Sequence, residues 1–163
     1  MTTPASIERH PIHPMLVVFP LGLLFTAVVF DVLTLLTGSQ LWRTLAFYDI
    51  AAGLIGALIA AVPGFVDYLS LRGQARTLAT WHMALNLTTV ALFAVSWALR
   101  TQWGSQWIPP GSSLPQGLTI VGAVVLGVGG WLGGHLVYVH GVGVEPARGA
   151  RSGEDLRRPG RAA

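Results

Sequence analysis

The sequence contains no cysteine and no lysine among its 163 residues, and only 10% of it is charged. Without cysteine, this chain can form no disulfide, no thiolate zinc site, no cysteine-ligated iron–sulfur cluster and no cysteine nucleophile. Cysteine usage therefore says nothing about redox compartment. All ten basic residues are arginine, a bias with no functional reading of its own. The scarcity of charge is more informative, because a soluble domain usually carries about a quarter charged residues. With 52% hydrophobic residues and a mean hydropathy of +0.59, too little polar surface remains to cover a soluble globule. An integral membrane protein is the consistent class.

Several chemistries are missing as well. There is no nucleophile elbow, no pair of catalytic carboxylates on a loop and no glycine-rich phosphate loop after a strand, which argues against a hydrolase. Gly127-Val128-Gly129-Gly130 lies inside an apolar run, so its likeness to a nucleotide motif is spurious. The pI near 10.2 does not point to nucleic acid, since Arg148, Arg151, Arg157, Arg158 and Arg161 crowd the final stretch. A basic tail beside membrane spans is a topology signal or a contact for anionic lipid. The first apolar run is too long for a signal-peptide core and lacks a basic leader of the usual kind, so no cleaved signal is expected.

What is present is four long apolar runs. Roughly 20 apolar residues cross a bilayer as a helix, and the runs 14–36, 45–71, 78–99 and 117–139 each meet that length. Pro63 predicts a kink in the second. Pro109, Pro110, Gly111 and Pro115 make 103–116 a loop. The domain reading is a short N-terminal segment (1–12), a four-helix transmembrane domain (13–143) and a basic disordered tail (144–163). No sequence repeat stands out, although His13 and Asp31 on the first span and Asp49 and Asp67 on the second are each spaced by five helical turns.

Orientation follows from the arginines. Arg9, Arg72, Arg76 and the five tail arginines fall on one side, Arg43 and Arg100 on the other. The positive-inside rule then predicts an all-α, up-down-up-down bundle with both termini cytoplasmic. Alternating spans bring His13, His82, His135, His140 and Asp67 to the cytoplasmic end. Intramembrane ionisable groups turn toward the bundle interior, so His82, Asn86, Thr89 and Ser96 define an inward stripe on the third span. Asp31 and Asp49, nearer the outer end, read as interhelical glue able to pair with Arg43 or Arg100. In the stretch Trp131–Gly141, His135 and His140 lie on different faces, and greater depth favours His135 as the inward ring.

The motif Pro11-Ile12-His13-Pro14-Met15-Leu16-Val17-Val18-Phe19-Pro20, followed by Gly64-Phe65-Val66-Asp67, His82 with Asn86, Gly133-Gly134-His135-Leu136-Val137-Tyr138 and His140-Gly141-Val142-Gly143-Val144, resembles a bacterial family known as domain of unknown function 2231. The resemblance covers roughly residues 10–145. It implies a four-helix domain of the bacterial cytoplasmic membrane without a settled activity. Some members are similar in carrying or neighbouring Rieske-type iron–sulfur domains, so a redox partner of this chain would be a separate protein.

Three functions follow as expectations. The first is a b-type haem protein for electron transfer, because non-covalent haem needs two imidazoles on different helices at equal depth and small residues for the ring. His82 and His135 fit that depth and His13 is the alternative ligand; Asn86, Gly133, Gly134 and Tyr138 would line the cofactor. The second is a transition-metal site (zinc, copper or iron) built from His13, Asp67, His82 and His135 or His140. The third is a non-catalytic membrane subunit, a homo-oligomer among its options, that binds a partner or a quinone-like lipid. All three make a binding or electron-transfer protein more fitting than a stand-alone enzyme.

Overall fold

The computed structural model describes residues 4–8 and 10–144. Apart from a two-residue ribbon pairing β1 (Ser6–Ile7) with β2 (His10–Pro11), it is all-helical: α1 (Ile12–Thr37), α2 (Gln40–Ser70), α3 (Gly73–Leu99), a 3₁₀ turn (Gly104–Trp107) and α4 (Leu114–Tyr138). Each α-helix is long and apolar enough to cross a membrane. The four expected long apolar helices are present, each a few residues longer than its apolar run. Within the N-terminal segment, His10–Pro11 form a strand and Ile12 begins α1. Arg9 and the tail from 145, on which much of the orientation argument and the disordered-tail reading rest, lie outside the described residues.

Local chemistry sets the helix ends. Pro14 sits in the first turn of α1, where its missing N–H has no helical partner to lose. Gly38, at φ 67°, ends α1 in the left-handed conformation that suits glycine, its N–H donating to Thr34 O at 2.8 Å. Ser39 then caps α2 by accepting from Leu41 N. Arg76 donates to Leu71 O and lies 4.5 Å over the Tyr68 ring, closing the α2–α3 corner. Pro63 does not break α2, which is continuous through it.

The core is thin and the surface apolar. Leu24, Ala27, Ile50 and Phe93 form the central buried cluster, and Leu71, Ala75, Ala79 and Leu136 a second one toward the α2–α3 corner. Phe19, Phe25, Ile55, Leu58, Val62, Leu87 and Val124 are among many large apolar side chains exposed on the helix flanks. An exposed apolar area of this extent suits a lipid surround rather than water.

A repeat hidden in the sequence organises the packing. Helices α1 and α2 pack as one hairpin, α3 and α4 as another, with far thinner contact between hairpins. A shift of 69 positions maps the key contacts of the first hairpin onto the second. His13 bonds Ala60 O, and His82 bonds Gly129 O, each across 47 positions. A Cβ on Gly53 would fall 2.6 Å from Leu24, and one on Gly122 would fall 2.8 Å from Phe93. A Cβ on Gly64 would meet the His13 ring at 2.7 Å, and one on Gly133 the His82 ring at 2.8 Å. The expectation of no repeat is therefore corrected. Only a few of the paired positions keep the same residue, while their contacts are kept.

Two equivalent positions meet each other as well. The His13 and His82 rings are neighbours, and Asp31 is bonded to Arg100, again 69 positions on. A residue that touches its own counterpart lies on the symmetry axis, as in an isologous contact. An approximate two-fold axis thus runs lengthwise between the hairpins, of the parallel-repeat kind known in membrane bundles. A histidine pair sits at one end of it. A charge pair sits about 27 Å away at the other, 18 residues of helical rise.

Candidate functional site: a histidine pair on the repeat axis

The first turn of α1 delivers His13 and the third turn of α3 delivers His82. Their ring centroids are 6.4 Å apart and the planes nearly perpendicular, at 85°. Each ring is held by a backbone carbonyl on the other helix of its own hairpin. His13 Nδ1 lies 2.8 Å from Ala60 O, and His82 Nδ1 lies 2.8 Å from Gly129 O. A carbonyl only accepts, so both Nδ1 atoms must carry hydrogen. That leaves Nε2 as the lone-pair nitrogen of each neutral ring. In His82 it accepts from Asn86 Nδ2 at 2.9 Å, one turn further along α3.

Glycine makes this approach possible. Gly64 and Gly133 each follow the accepting carbonyl by one helical turn, and both lie flat against an imidazole. Any side chain there would occupy the volume of the ring. Gly129 plays a related part, because a Cβ on it would lie 3.2 Å from Asn86 Oδ1. The arrangement fixes tautomer and ring orientation together, as the outer shell of a ligand-binding histidine does.

The remaining residues expected at this site are elsewhere. His135 does not join His82: its ring is set 5.6 Å from exposed Trp131 and 5.5 Å from His140. Those two histidines share an open groove with Trp81 and the first turns of α3. The physical reason is helical phase. Gly133 takes the inward position of α4 against His82, and two residues on, His135 is turned away from it. Gly134 meets nothing closer than Tyr138, and Tyr138 is 89% exposed. Asp67 is buried, but its carboxylate accepts from Ala5 N at 2.8 Å and so pins the N-terminal segment. Among the described residues no three histidine, aspartate or glutamate side chains converge as a metal cluster would require. The ligand set expected for a metal is therefore split: His13 and His82 form one pair, the alternative ligands His135 and His140 another, and Asp67 stands apart.

At the far end of the axis, Arg100 and Asp31 form a bidentate pair, both bonds 2.7 Å. Thr119 donates to the second carboxylate oxygen, and Ser96 accepts from the guanidinium and donates to Pro115 O. Asp31 is fully buried. Of the two arginines open to Asp31 in the sequence, it is Arg100 that pairs. Sequence reasoning passed over Thr119 and Gln116, whose only signal was a polar residue within an apolar run.

A family model described as "Predicted membrane protein (DUF2231)" matches residues 9–146. No curated protein and no solved structure matches the chain. Since the family match spans His13, Gly64, His82, Asn86 and Gly133 alike, the chain belongs to the membrane protein family of domain of unknown function 2231.

Proposed function

We propose that the chain is an electron-transfer protein of the cytoplasmic membrane that holds a b-type haem iron between His13 and His82. The observation that carries this reading is the pair of rings 6.4 Å apart on the repeat axis, each with Nδ1 anchored to a carbonyl. With each Nδ1 tied to a carbonyl, His13 and His82 are the two residues that would offer Nε2 to an iron, one from each hairpin. The donor set also suits the group: neutral imidazoles through Nε2, with carbonyl partners that raise their basicity. When bound, haem supplies one-electron chemistry.

The chain's own residues do the positioning. Ala60 O and Gly129 O hold the rings, Gly64 and Gly133 leave them room, and the Asn86 amide stands where iron would take the His82 lone pair. Ligation therefore requires Asn86 to swing aside. The excess of arginine on the N-terminal side supports a reading with this end in the cytoplasm, in an up-down-up-down bundle with both termini inside. Electrons would pass to a separate redox protein, of Rieske type or other.

Protein purified after expression with haem supplied should show a Soret band and a visible spectrum that changes on dithionite reduction. A colourless protein that carries stoichiometric transition metal would move the same histidine pair to a metal-ion function. A colourless, metal-free protein would defeat both.

A further inference from the structure

The last turn of α4 and the residues just past it bring two further imidazoles together. The His135 and His140 ring centroids are 5.5 Å apart, with planes at 61°. The backbone sets this proximity. Beyond α4 the chain turns at Gly141, φ 63°, a conformation that suits glycine. His140 N donates to His135 O at 3.3 Å, and Val142 N donates to Leu136 O at 3.0 Å. Val142 also packs against the buried cluster of Leu71, Ala75, Ala79 and Leu136. The turn is thus anchored in the bundle, and His140 is held beside His135 by main chain rather than by its own ring.

The nitrogens of this pair are unengaged. His13 and His82 each commit Nδ1 to a helix carbonyl, and His10 Nδ1 is bonded to Glu8 O. His135 and His140 make no side-chain hydrogen bond among the described residues. Both are half-buried and line one groove. None of their nitrogens is sealed inside the protein, so both rings are open to a ligand from that groove. On its other wall, Gln74 and Thr77 of α3 carry side-chain oxygens. Two adjacent imidazoles with amide and hydroxyl oxygen opposite are donors for a transition-metal ion of intermediate softness.

We propose that His135 and His140 bind one divalent transition-metal ion, Cu²⁺ or Zn²⁺. Each ring supplies one nitrogen after a small turn about its side-chain torsions, and oxygens of Gln74, Thr77 or water fill the remaining positions. Structural zinc sites close the sphere with four protein ligands; two imidazoles in an open groove make an exchangeable site. The site is independent of the haem reading, which uses His13 and His82. Trp131, whose ring is 5.6 Å from that of His135, is a built-in reporter, because bound Cu²⁺ quenches a neighbouring indole.

The test titrates the haem-free full chain in detergent with Cu²⁺, then adds Zn²⁺ or Mg²⁺ in competition, read by calorimetry and tryptophan fluorescence. Cu²⁺ should bind and quench. Zn²⁺ should displace it, and Mg²⁺, which takes oxygen ligands, should not. Losing an outer-shell partner already costs about 10–100-fold in metal affinity, so His135→Ala and His140→Ala should each weaken binding by at least about tenfold. Binding should persist in His13→Ala. Trp131→Phe, a change at an exposed position, should keep the affinity and lose much of the quenching. Unchanged Cu²⁺ affinity in His135→Ala and His140→Ala protein that melts like wild type would overturn the proposal, as would binding abolished by His13→Ala. Should an alanine variant fail to fold, Trp131→Phe protein with undiminished quenching overturns it instead.

Discussion

Replacing Asp31 by leucine would leave Arg100 as an uncompensated cation inside an apolar bundle. The pair is bidentate at 2.7 Å and almost wholly buried, with side-chain exposures of 6% for Arg100 and none for Asp31. Solvent screening therefore offers little relief, and removing one partner of such a pair costs about 3–5 kcal/mol. Thr119 loses the carboxylate it donates to and is left with Gln116 O, whereas Ser96 keeps Arg100 and Pro115 O as partners. Arg100→Leu should cost as much for the mirror reason. The double variant should be far milder than the sum, because replacing a whole buried pair by apolar residues is often neutral. A charge exchange, Asp31→Arg with Arg100→Asp, should recover part of the loss, as the two positions are counterparts across the repeat axis. Recovery should be incomplete: the positions corresponding to Thr119 and Ser96 are Ile50 and Ala27, which offer no hydrogen bond. Unfolding of purified protein in mixed detergent, analysed as a double-mutant cycle, measures each term. Single variants within 1 kcal/mol of wild type, or additive effects, would refute the reasoning.

Other perturbations probe the glycine contacts and the repeat. Gly133→Val and Gly64→Val should each destabilise by about 1–3 kcal/mol through overpacking against a histidine ring, whereas Gly127→Ala and Gly130→Ala, which face open space, should fall within about 0.5 kcal/mol of wild type in the same unfolding assay. Asn86→Leu should remove the amide that occupies the His82 Nε2 lone pair and so tighten haem uptake, checked by titrating haem into the purified protein. Chains 1–72 and 73–163, expressed together with a tag on one, should co-purify as a folded pair, because each is a complete hairpin of the repeat; failure to associate would count against the hairpins as units.

The bundle was legible because four apolar runs of spanning length leave few alternatives. The inward stripe of α3 was legible too, and Thr89, Ser96 and the His82–Asn86 contact lie where its period put them. The pairing of His82 was not. Depth alone ranked His135 above His13, yet the direction of a ring is set by which residue of α4 faces α3, and that residue is Gly133. A glycine has no side chain to announce a face. The repeat was illegible for a related reason: packing keeps the contact of a glycine with a bulky side chain while letting Leu24 become Phe93 and Ala60 become Gly129. The Asp31–Arg100 pair disguised it further, since complementary residues, not identical ones, occupy the two positions that meet on the axis.

The most direct test of the histidine pair compares the oxidised and reduced visible spectra of haem-loaded wild-type protein with His13→Ala, His82→Ala and His135→Ala. The account predicts a two-imidazole spectrum for wild type and for His135→Ala, and its loss in both His13→Ala and His82→Ala. A spectrum that survives without His13 but disappears without His135 would contradict it.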